Sequence, residues 1–468
     1  SDVEGGRMSY ADFVSRKLST VPPTGIVGKV DLPPSLFPHQ DVLTRWALRR
    51  GRAAIFADTG LGKMRMELAW ADAVQKYTGK PVMIHTPLAV AAQVAREAER
   101  IGIVAKVCRE QSDLIGGINI TNYDRLHKFD TSIFGAVVLD ESGCIKHSDT
   151  KTFKSLTEAY RDTPFKLPAS ATPAPNDWTE LGTHAEFLGI CTKQEMLAEF
   201  FTHDGGDTSV WRLKGHAREI FWRWVATWGA MIRRPSDLGF DDGAYNLPHL
   251  HVHEHQVSYE MPLNGMLFAT DAQSLSERRE ARRASIDDRV AECAALVNAD
   301  RSEPWIVWCD LNAEGDALTK AIDGAVQISG ADDTDTKERR LVDFAEGRIR
   351  VLVSKPSICG WGLNWQHSAR MAFVGVTDSY EAYYQAVRRC WRFGQTRDVH
   401  VHVFASKAEG AVVSNLQRKE REAGQMAESL SAETRDAVMA EVTGLTRETN
   451  TYNAGKRVAV PAFLRSAA

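Results

Sequence analysis

The sequence predicts an α/β protein of two tandem doubly wound parallel-sheet domains, with a helical insertion and a C-terminal helical tail. Three observations carry this expectation. Short apolar, often β-branched runs recur along the chain, as strands buried on both faces require. Helical patterns separate them, the alternation that builds a parallel sheet. The rhythm comes in two blocks, and 468 residues at about 150 per domain leave room for two large domains with extensions.

Residues 1–35 read as a polar extension. The first block, 36–240, holds the runs Ala53-Ala54-Ile55-Phe56, Pro81-Val82-Met83-Ile84, Ala136-Val137-Val138-Leu139 and Phe165-Lys166-Leu167. Between the first two, Lys63 to Tyr77 sets Met66, Ala69, Trp70 and Val74 on one helical face. Residues 186–235 read as the helical insertion and are crowded with Trp and Arg. Gly, Pro and turn residues mark 236–262 as the crossing between domains. A charged helix from Ser274 to Asp300 completes a linker over 241–300. The second block, 301–406, repeats the pattern at Trp305-Ile306-Val307-Trp308, Ala325-Val326-Gln327-Ile328, Val351-Leu352-Val353, Met371-Ala372-Phe373-Val374 and Val401-His402-Val403-Phe404. The tail, 407–468, is polar and helix-prone in its first half.

A composition of 43% hydrophobic and 25% charged residues suits ordinary cores without disulfide or metal staples. No apolar run approaches the ~18 residues of a membrane span, and SDVEGGRMSY does not read as a secretion signal. The seven cysteines are scattered and form no C-x-x-C pair. That speaks against a disulfide framework and a zinc ribbon, and for a reducing cytosol. A net charge of −4 excludes a polycation that coats nucleic acid, but not a protein with a local basic cleft.

Three stretches carry chemistry. Ala57-Asp58-Thr59-Gly60-Leu61-Gly62-Lys63 lies between a predicted strand and a predicted helix. Glycines there let backbone N–H groups curl around phosphate oxygens, and the lysine reaches the terminal phosphates. A Gly-rich turn capping an ordinary helix has the same look. Val137-Val138-Leu139-Asp140-Glu141 is an apolar strand ending in two carboxylates, one suited to Mg²⁺ and one to the attacking water. A solvated strand end is the plainer alternative. In Gln385-Ala386-Val387-Arg388-Arg389-Cys390-Trp391-Arg392, Arg389 and Arg392 are spaced to share a helix face. They suit arginine fingers that reach phosphate across a domain gap, or equally a basic surface helix.

In this order the motifs resemble those of superfamily 2 helicases, and among them the Swi/Snf-type double-stranded DNA translocases, over residues 36–405. Leu36-Phe37-Pro38-His39-Gln40 resembles the adenine-reading motif, Ala57 to Lys63 motif I, Thr86-Pro87-Leu88 motif Ia and Thr121-Asn122-Tyr123 motif Ib. Asp140-Glu141-Ser142-Gly143 stands at motif II and Ser170-Ala171-Thr172-Pro173 at motif III. Ser354 to Trp365 resembles motif V, with Gly362-Leu363-Asn364 its most specific part, and Gln385 to Gln395 resembles motif VI. Arg392-Phe393-Gly394-Gln395 points to the Swi/Snf branch.

The resemblance implies two RecA-like lobes, the motor core shared with DEAD/DEAH-type proteins, using ATP and Mg²⁺. It implies catalytic roles for Glu141, Asp140 (also the metal ligand), Arg389, Arg392 and Gln385. Gln40, Thr59, Gly60, Gly62, Lys63, Met64 and Gly362 would bind the nucleotide. Thr86, Asn122, Thr172, Ser329, Gly330, Ser354 and Trp361 would grip double-stranded DNA by its phosphates, without reading sequence. Further cations for DNA are Arg212, Lys214, Arg218, Arg233 and Arg234, and a charged face at Arg278, Arg279, Arg282 and Arg283.

Two departures stand out. Met64 replaces the hydroxyl that ligates Mg²⁺ in the family, and Gly360-Trp361 replaces a pair of small residues. The leading expectation is an ATP-driven motor on duplex DNA, in a compact bacterial or phage protein of the cytosol, with no membrane and any protein partner unknown. The alternatives are a slowly hydrolysing ATP-gated DNA clamp or partner-binding module, and a strand-separating DNA or RNA helicase.

Overall fold

The apolar runs become strands because they are covered on both sides. In the computed structural model, which describes residues 21–204, 207–257, 283–359, 364–375, 379–406 and 410–443, β1 (Ala54–Ala57) sends alternate side chains into different cores. Ile55 and Ala57 join Trp46 and Trp70 on one face. Ala54 and Phe56 join Trp222 and Trp228 on the other. The strand cannot turn either face to water, and the sheet is therefore doubly wound.

Six more strands complete this first sheet: β2 (Val82–Thr86), β3 (Ala105–Val107), β4 (Ile118–Asn122), β5 (Ala136–Asp140), β6 (Phe165–Ser170) and β9 (Gly229–Ile232). The order is β3-β4-β2-β5-β6-β1-β9, parallel throughout. The second sheet holds β10 (Leu250–Val257), β11 (Trp305–Trp308), β12 (Ala325–Ile328), β13 (Val351–Ser354), β14 (Arg370–Phe373) and β15 (Val399–Ser406). Its order is β10-β15-β14-β11-β13-β12, again parallel. Ile306 and Trp308 face one core of this lobe, Trp305 and Val307 the other. The expected fold class is the observed one.

Residues 186–235 hold the helices Lys193–Phe200 and Arg218–Ala226, but also an antiparallel ribbon, β7 (Phe201–Asp204) with β8 (Asp207–Leu213), and the edge strand β9. The described part of the tail is one helix, Gly410–Thr443. Its first half packs on the second lobe through Leu416. Its second half crosses to the first lobe, where Leu430 and Val438 enter both cores. There the Met231 amide donates to Thr434 Oγ1 at 2.9 Å, and Arg50 pairs with Glu441. Trp361, Gly362, Arg278, Arg279 and Arg282 lie outside the described residues.

The crossing near residue 250 becomes β10, paired with β15 in register over its full length. This pairing builds a histidine ladder. His253 Nε2 lies 3.0 Å from His400 Nδ1, and His255 Nε2 lies 2.9 Å from His402 Nδ1. His251 reaches Asp398 at 3.3 Å and stacks on His400. An imidazole–imidazole hydrogen bond needs one N–H and one lone pair, so it fails when both rings are protonated. Burial, then the neighbouring histidines and Arg370, push His402 down to about 3. Burial and Arg370 likewise lower His400, against Asp398, and burial lowers His255, against Glu292. Groups with depressed folded values bind more protons when unfolded, so their contribution is present above the unfolded value near 6.5 and is lost as pH falls below it. Melting scans from pH 7.5 to 5 should show Tm falling below about pH 6.5. His402→Gln should flatten that fall, and an unchanged slope would remove the ladder as its source.

Candidate active site

The first lobe's loops supply the phosphate-binding half of the site. Where β1 ends, the chain turns through Asp58–Gly62 into the helix Lys63–Thr78. Gly60 and Gly62 take φ of 96° and 82°, the left-handed region that glycine enters without a steric penalty. At Gly62 a Cβ would stand 2.2 Å from Gln40 Nε2, so a side chain there would displace the Gln40 amide. Lys63 Nζ donates to Ala57 O at 3.1 Å and lies 3.9 Å from Glu141 Oε1. Gln40 does not line the cleft. Its Nε2 donates to Leu61 O at 3.0 Å and its Oε1 accepts from the Phe37 amide at 3.0 Å, so it holds the loop's backbone.

β5 delivers the carboxylates. Asp140 Oδ2 accepts from Thr86 Oγ1 at 2.7 Å, and the Tyr123 hydroxyl donates to Asp140 O at 2.6 Å. Burial, reinforced by Glu141, raises the Asp140 carboxyl above its ordinary range. Glu141 takes φ 54° and ψ 59°, the one non-glycine left-handed residue among those described. Beneath them Glu67 is fully buried, and neither oxygen has a hydrogen-bond partner among the described residues. Burial raises its carboxyl well above the ordinary carboxylate value, with Asp140 adding to the effect.

The opposite wall comes from the second lobe. The helix Tyr380–Val387 presents Gln385, and Arg389 and Arg392 follow. The two arginines do not share a helix face, as their spacing predicts, because the helix ends at Val387. The Arg389 carbonyl is taken by the Trp365 amide at 2.9 Å and the Cys390 carbonyl by Gln395 Nε2 at 3.3 Å, which diverts the chain into turns. Both arginines still face the cleft. Burial, then Arg388, lowers Arg392 to about 10, which leaves it charged at neutral pH.

The cleft between the walls, about 230 Å³, gathers Thr59, Gly60, Gly62, Lys63, Met64, Asp140, Glu141, Gln385, Arg389 and Arg392 from the expected set. Arg65, Gln93, Glu97 and Asn364 join them. Of the nucleic-acid set, Thr86 and Asn122 stand level on the neighbouring strands β2 and β4. Thr86 is buried and serves Asp140, and Ser354 is buried with its hydroxyl on Ile328 O at 2.8 Å. Asn122 and Thr172 are buried too. Ser329 bonds Asp332 at the end of β12, and Gly330 beside it is exposed. Sequence reasoning missed Asp58, Tyr384 and Arg388, which meet across the lobes. It also missed Tyr245, whose ring packs 4.6 Å from Phe393 and 5.2 Å from His39 beside the loop.

The cleft suits a polyphosphate with a hard cation. Thr59 Oγ1, Gln385 Nε2 and Arg392 Nε are buried without hydrogen-bond partners among the described residues, and such atoms cost stability unless a ligand satisfies them. Cationic side chains converge from both lobes on a loop of left-handed glycines. No three His, Cys, Asp or Glu among the described residues form a metal cage. Mg²⁺ needs none, since it is bound through one or two carboxylates, substrate phosphates and water.

No protein-family model and no curated protein matches the chain. Among solved structures it is similar to the Sulfolobus solfataricus SWI2/SNF2 ATPase core in complex with dsDNA. The identity is 16% and the TM-score 0.41, over 88% of this chain and 98% of that one. Likeness at that level decides nothing about chemistry, which has to come from the cleft itself.

Lys63→Ala should weaken ATP binding about 10- to 100-fold, the worth of a charge-assisted phosphate contact, with little change in Tm. A fluorescent-nucleotide titration reads this, and wild-type affinity would deny Lys63 the phosphate role. Glu141→Gly should release about 1 kcal/mol of backbone strain and raise Tm by a few degrees, while removing the carboxylate and with it any phosphate release that depends on it. Paired melting and phosphate-release measurements on this variant separate strain from chemistry.

Proposed function

We propose that the protein is a DNA-dependent ATPase that hydrolyses ATP between its two lobes and moves along duplex DNA. The observation that carries this reading is the division of the cleft: the phosphate loop and carboxylates come from one lobe, the arginines from the other. Chemistry completed only when two bodies meet is chemistry coupled to their motion.

The amides of Gly60 and Gly62 and the Lys63 ammonium would hold the β- and γ-phosphates of ATP. Asp140 would hold Mg²⁺ on the phosphate oxygens, where the ion neutralises charge. Glu141, 3.9 Å from the Lys63 ammonium, would orient the attacking water and accept its proton. As the water's oxygen bonds to the γ-phosphorus and the bond to the β-phosphate oxygen breaks, Arg389 and Arg392 would balance the charge that moves to the equatorial and leaving oxygens. Opening after phosphate release would let the lobes grip DNA at a shifted position. Sequence-tolerant phosphate contacts predict steep salt dependence of binding. No described helix is long and apolar enough to cross a membrane, and a bacterial or phage-infected cytosol is the proposed setting.

One observation favours a second reading, a slowly hydrolysing DNA clamp. Met64 lines the cleft while packing against the core of the first lobe. A thioether is a poor ligand for Mg²⁺, which leaves a water in place of a protein oxygen.

Phosphate release with and without duplex DNA decides between motor and clamp: a motor shows DNA stimulation and displaces a third strand from a triplex, a clamp does neither. Arg389→Ala and Arg392→Ala should each cut kcat by about 10²-fold with smaller effects on ATP affinity. Unchanged kcat in both would reduce them to basic surface. Met64→Thr should lower the Mg²⁺ concentration for half-maximal rate, and superimposable Mg²⁺ titrations would show the thioether to be harmless.

A further inference from the structure

Beside the cleft, the lobes are tied by a buried ion pair that hydrolysis itself does not use. Asp58 is the first residue after β1. Its Oδ1 accepts from the Thr59 amide at 2.6 Å and from the Tyr384 hydroxyl, and its Oδ2 accepts from Arg388. The two charged side chains are only 16% and 8% exposed. The Arg388 guanidinium also lies 4.3 Å from the Trp391 ring centre and 5.2 Å from that of Tyr384. The Trp391 indole is itself fixed by a bond to Pro248 O at 2.7 Å. Burial is the largest single influence and alone would weaken the charge on Arg388, but Asp58, Tyr384 and Tyr380 together outweigh it and keep it raised.

Position gives this pair its meaning. Asp58 opens the phosphate loop, and its carboxylate is bonded to the amide of Thr59, a residue of the cleft wall. Arg388 immediately precedes Arg389 and stands four residues before Arg392, in the same tight turns. The loop and the turns also approach closely at Gly60, where a Cβ would sit 3.1 Å from Phe393 Cβ. A second lobe-to-lobe ion pair, Lys146 with Glu381, engages the helix that leads into the turns. Breaking the Asp58–Arg388 pair would leave a buried charge alone, so the arrangement is held strongly or abandoned as a unit.

We propose that Asp58, Arg388 and Tyr384 form an inter-lobe latch that holds the closed arrangement in which Arg389 and Arg392 face the phosphate loop. Arg388 is then a positioning residue, acting through its two neighbours. The proposal rests on reading the cleft as an ATPase. It adds that the first residue of the phosphate loop also grips the second lobe, so a ligand that moves the loop strains or releases the latch. Neither chemistry nor nucleotide affinity needs the pair directly, but closure does.

The test uses the full chain with Arg388→Ala, Asp58→Asn, both together, and Tyr384→Phe as a mild variant that removes one hydroxyl. Steady-state hydrolysis against ATP in the presence of duplex DNA should show kcat down about tenfold or more in Arg388→Ala, with KM within about threefold. The double variant should be no worse than the worse single, because both substitutions break one device. Arg388→Lys, which keeps the charge, should recover part of the loss. Amide hydrogen exchange gives a readout independent of turnover. In Arg388→Ala, exchange should rise together at 58–62 and 380–392, on opposite lobes, while β1 and β13 stay protected. Wild-type exchange at 58–62 in that variant overturns the latch whatever the turnover. A wild-type protein that hydrolyses no ATP overturns the ATPase reading instead, and the exchange result still decides the latch.

Discussion

The parallel register of β5, β6 and β1 is the constraint on which the site depends. Asp140 and Ile55 are both level with Ala169 of the strand between them. β5 therefore gives out into its carboxylates while β1 runs on by two residues before releasing the phosphate loop. Parallel strands end on the same side of a sheet, so the loop and the carboxylates must emerge together, where open α/β sheets bind their ligands. Slipping β5 by one residue would reverse every side chain, sending Asp140 to the opposite face. The apolar cores on both faces, with Trp46, Trp70, Trp222 and Trp228 buried, make such a slip prohibitively costly.

That rigidity is what lets the cleft hold an arrangement unfavourable in itself. Glu141 sits in a left-handed conformation, Glu67 is a carboxyl without hydrogen-bond partners among the described residues, and arginines from the other lobe press close together. Each feature costs free energy, and each persists because the surrounding sheet over-determines it. The charges are also complementary by wall: carboxylates and Lys63 on one lobe, arginines on the other. A phosphate chain with its cation satisfies both at once, which water does less well.

Much of this was legible in the sequence, for reasons of locality. β1, β5, β11 and β13 were readable because strands buried on both faces leave uninterrupted apolar runs. The cleft residues were readable because phosphate and carboxylate chemistry needs fixed residue types within a few positions. β4 was not, since Asn119 and Thr121 give it a polar look. Yet Asn119 is buried, its amide donating to the carbonyls of Ile115, Gly117 and Val82. β10 read as part of a crossing because Gly, Pro and turn residues dominate the stretch before it, and its alternating histidines find partners only in His400 and His402 of β15. Asp58 and Arg388 are 330 residues apart, and no spacing rule joins them. The roles of Thr86 and Gln40 followed the family's pattern in the sequence, while their hydrogen bonds turn them toward Asp140 and the loop backbone. Pattern identifies a neighbourhood, and hydrogen bonds decide which neighbour is served.

The lobes are joined by more than the cleft, and this shapes what motion the fold permits. The chain enters the second lobe at β10 and leaves it at β15, and these two strands pair with each other, so both connections emanate from one seam. The helix Gly410–Thr443 then runs back over the first lobe, with Leu416 and Ala423 against the second lobe and Met426 and Leu430 against the first. Its passage between lobes falls at Gly424, where a Cβ would meet nothing within 4 Å. Space does not demand a glycine there, and its presence loosens the helix backbone at the point where relative motion would bend it. Sliding one lobe past the other would drag a long helix across two cores, whereas a bend at Gly424 lets the lobes turn against one another while each half of the helix keeps the core it is packed on.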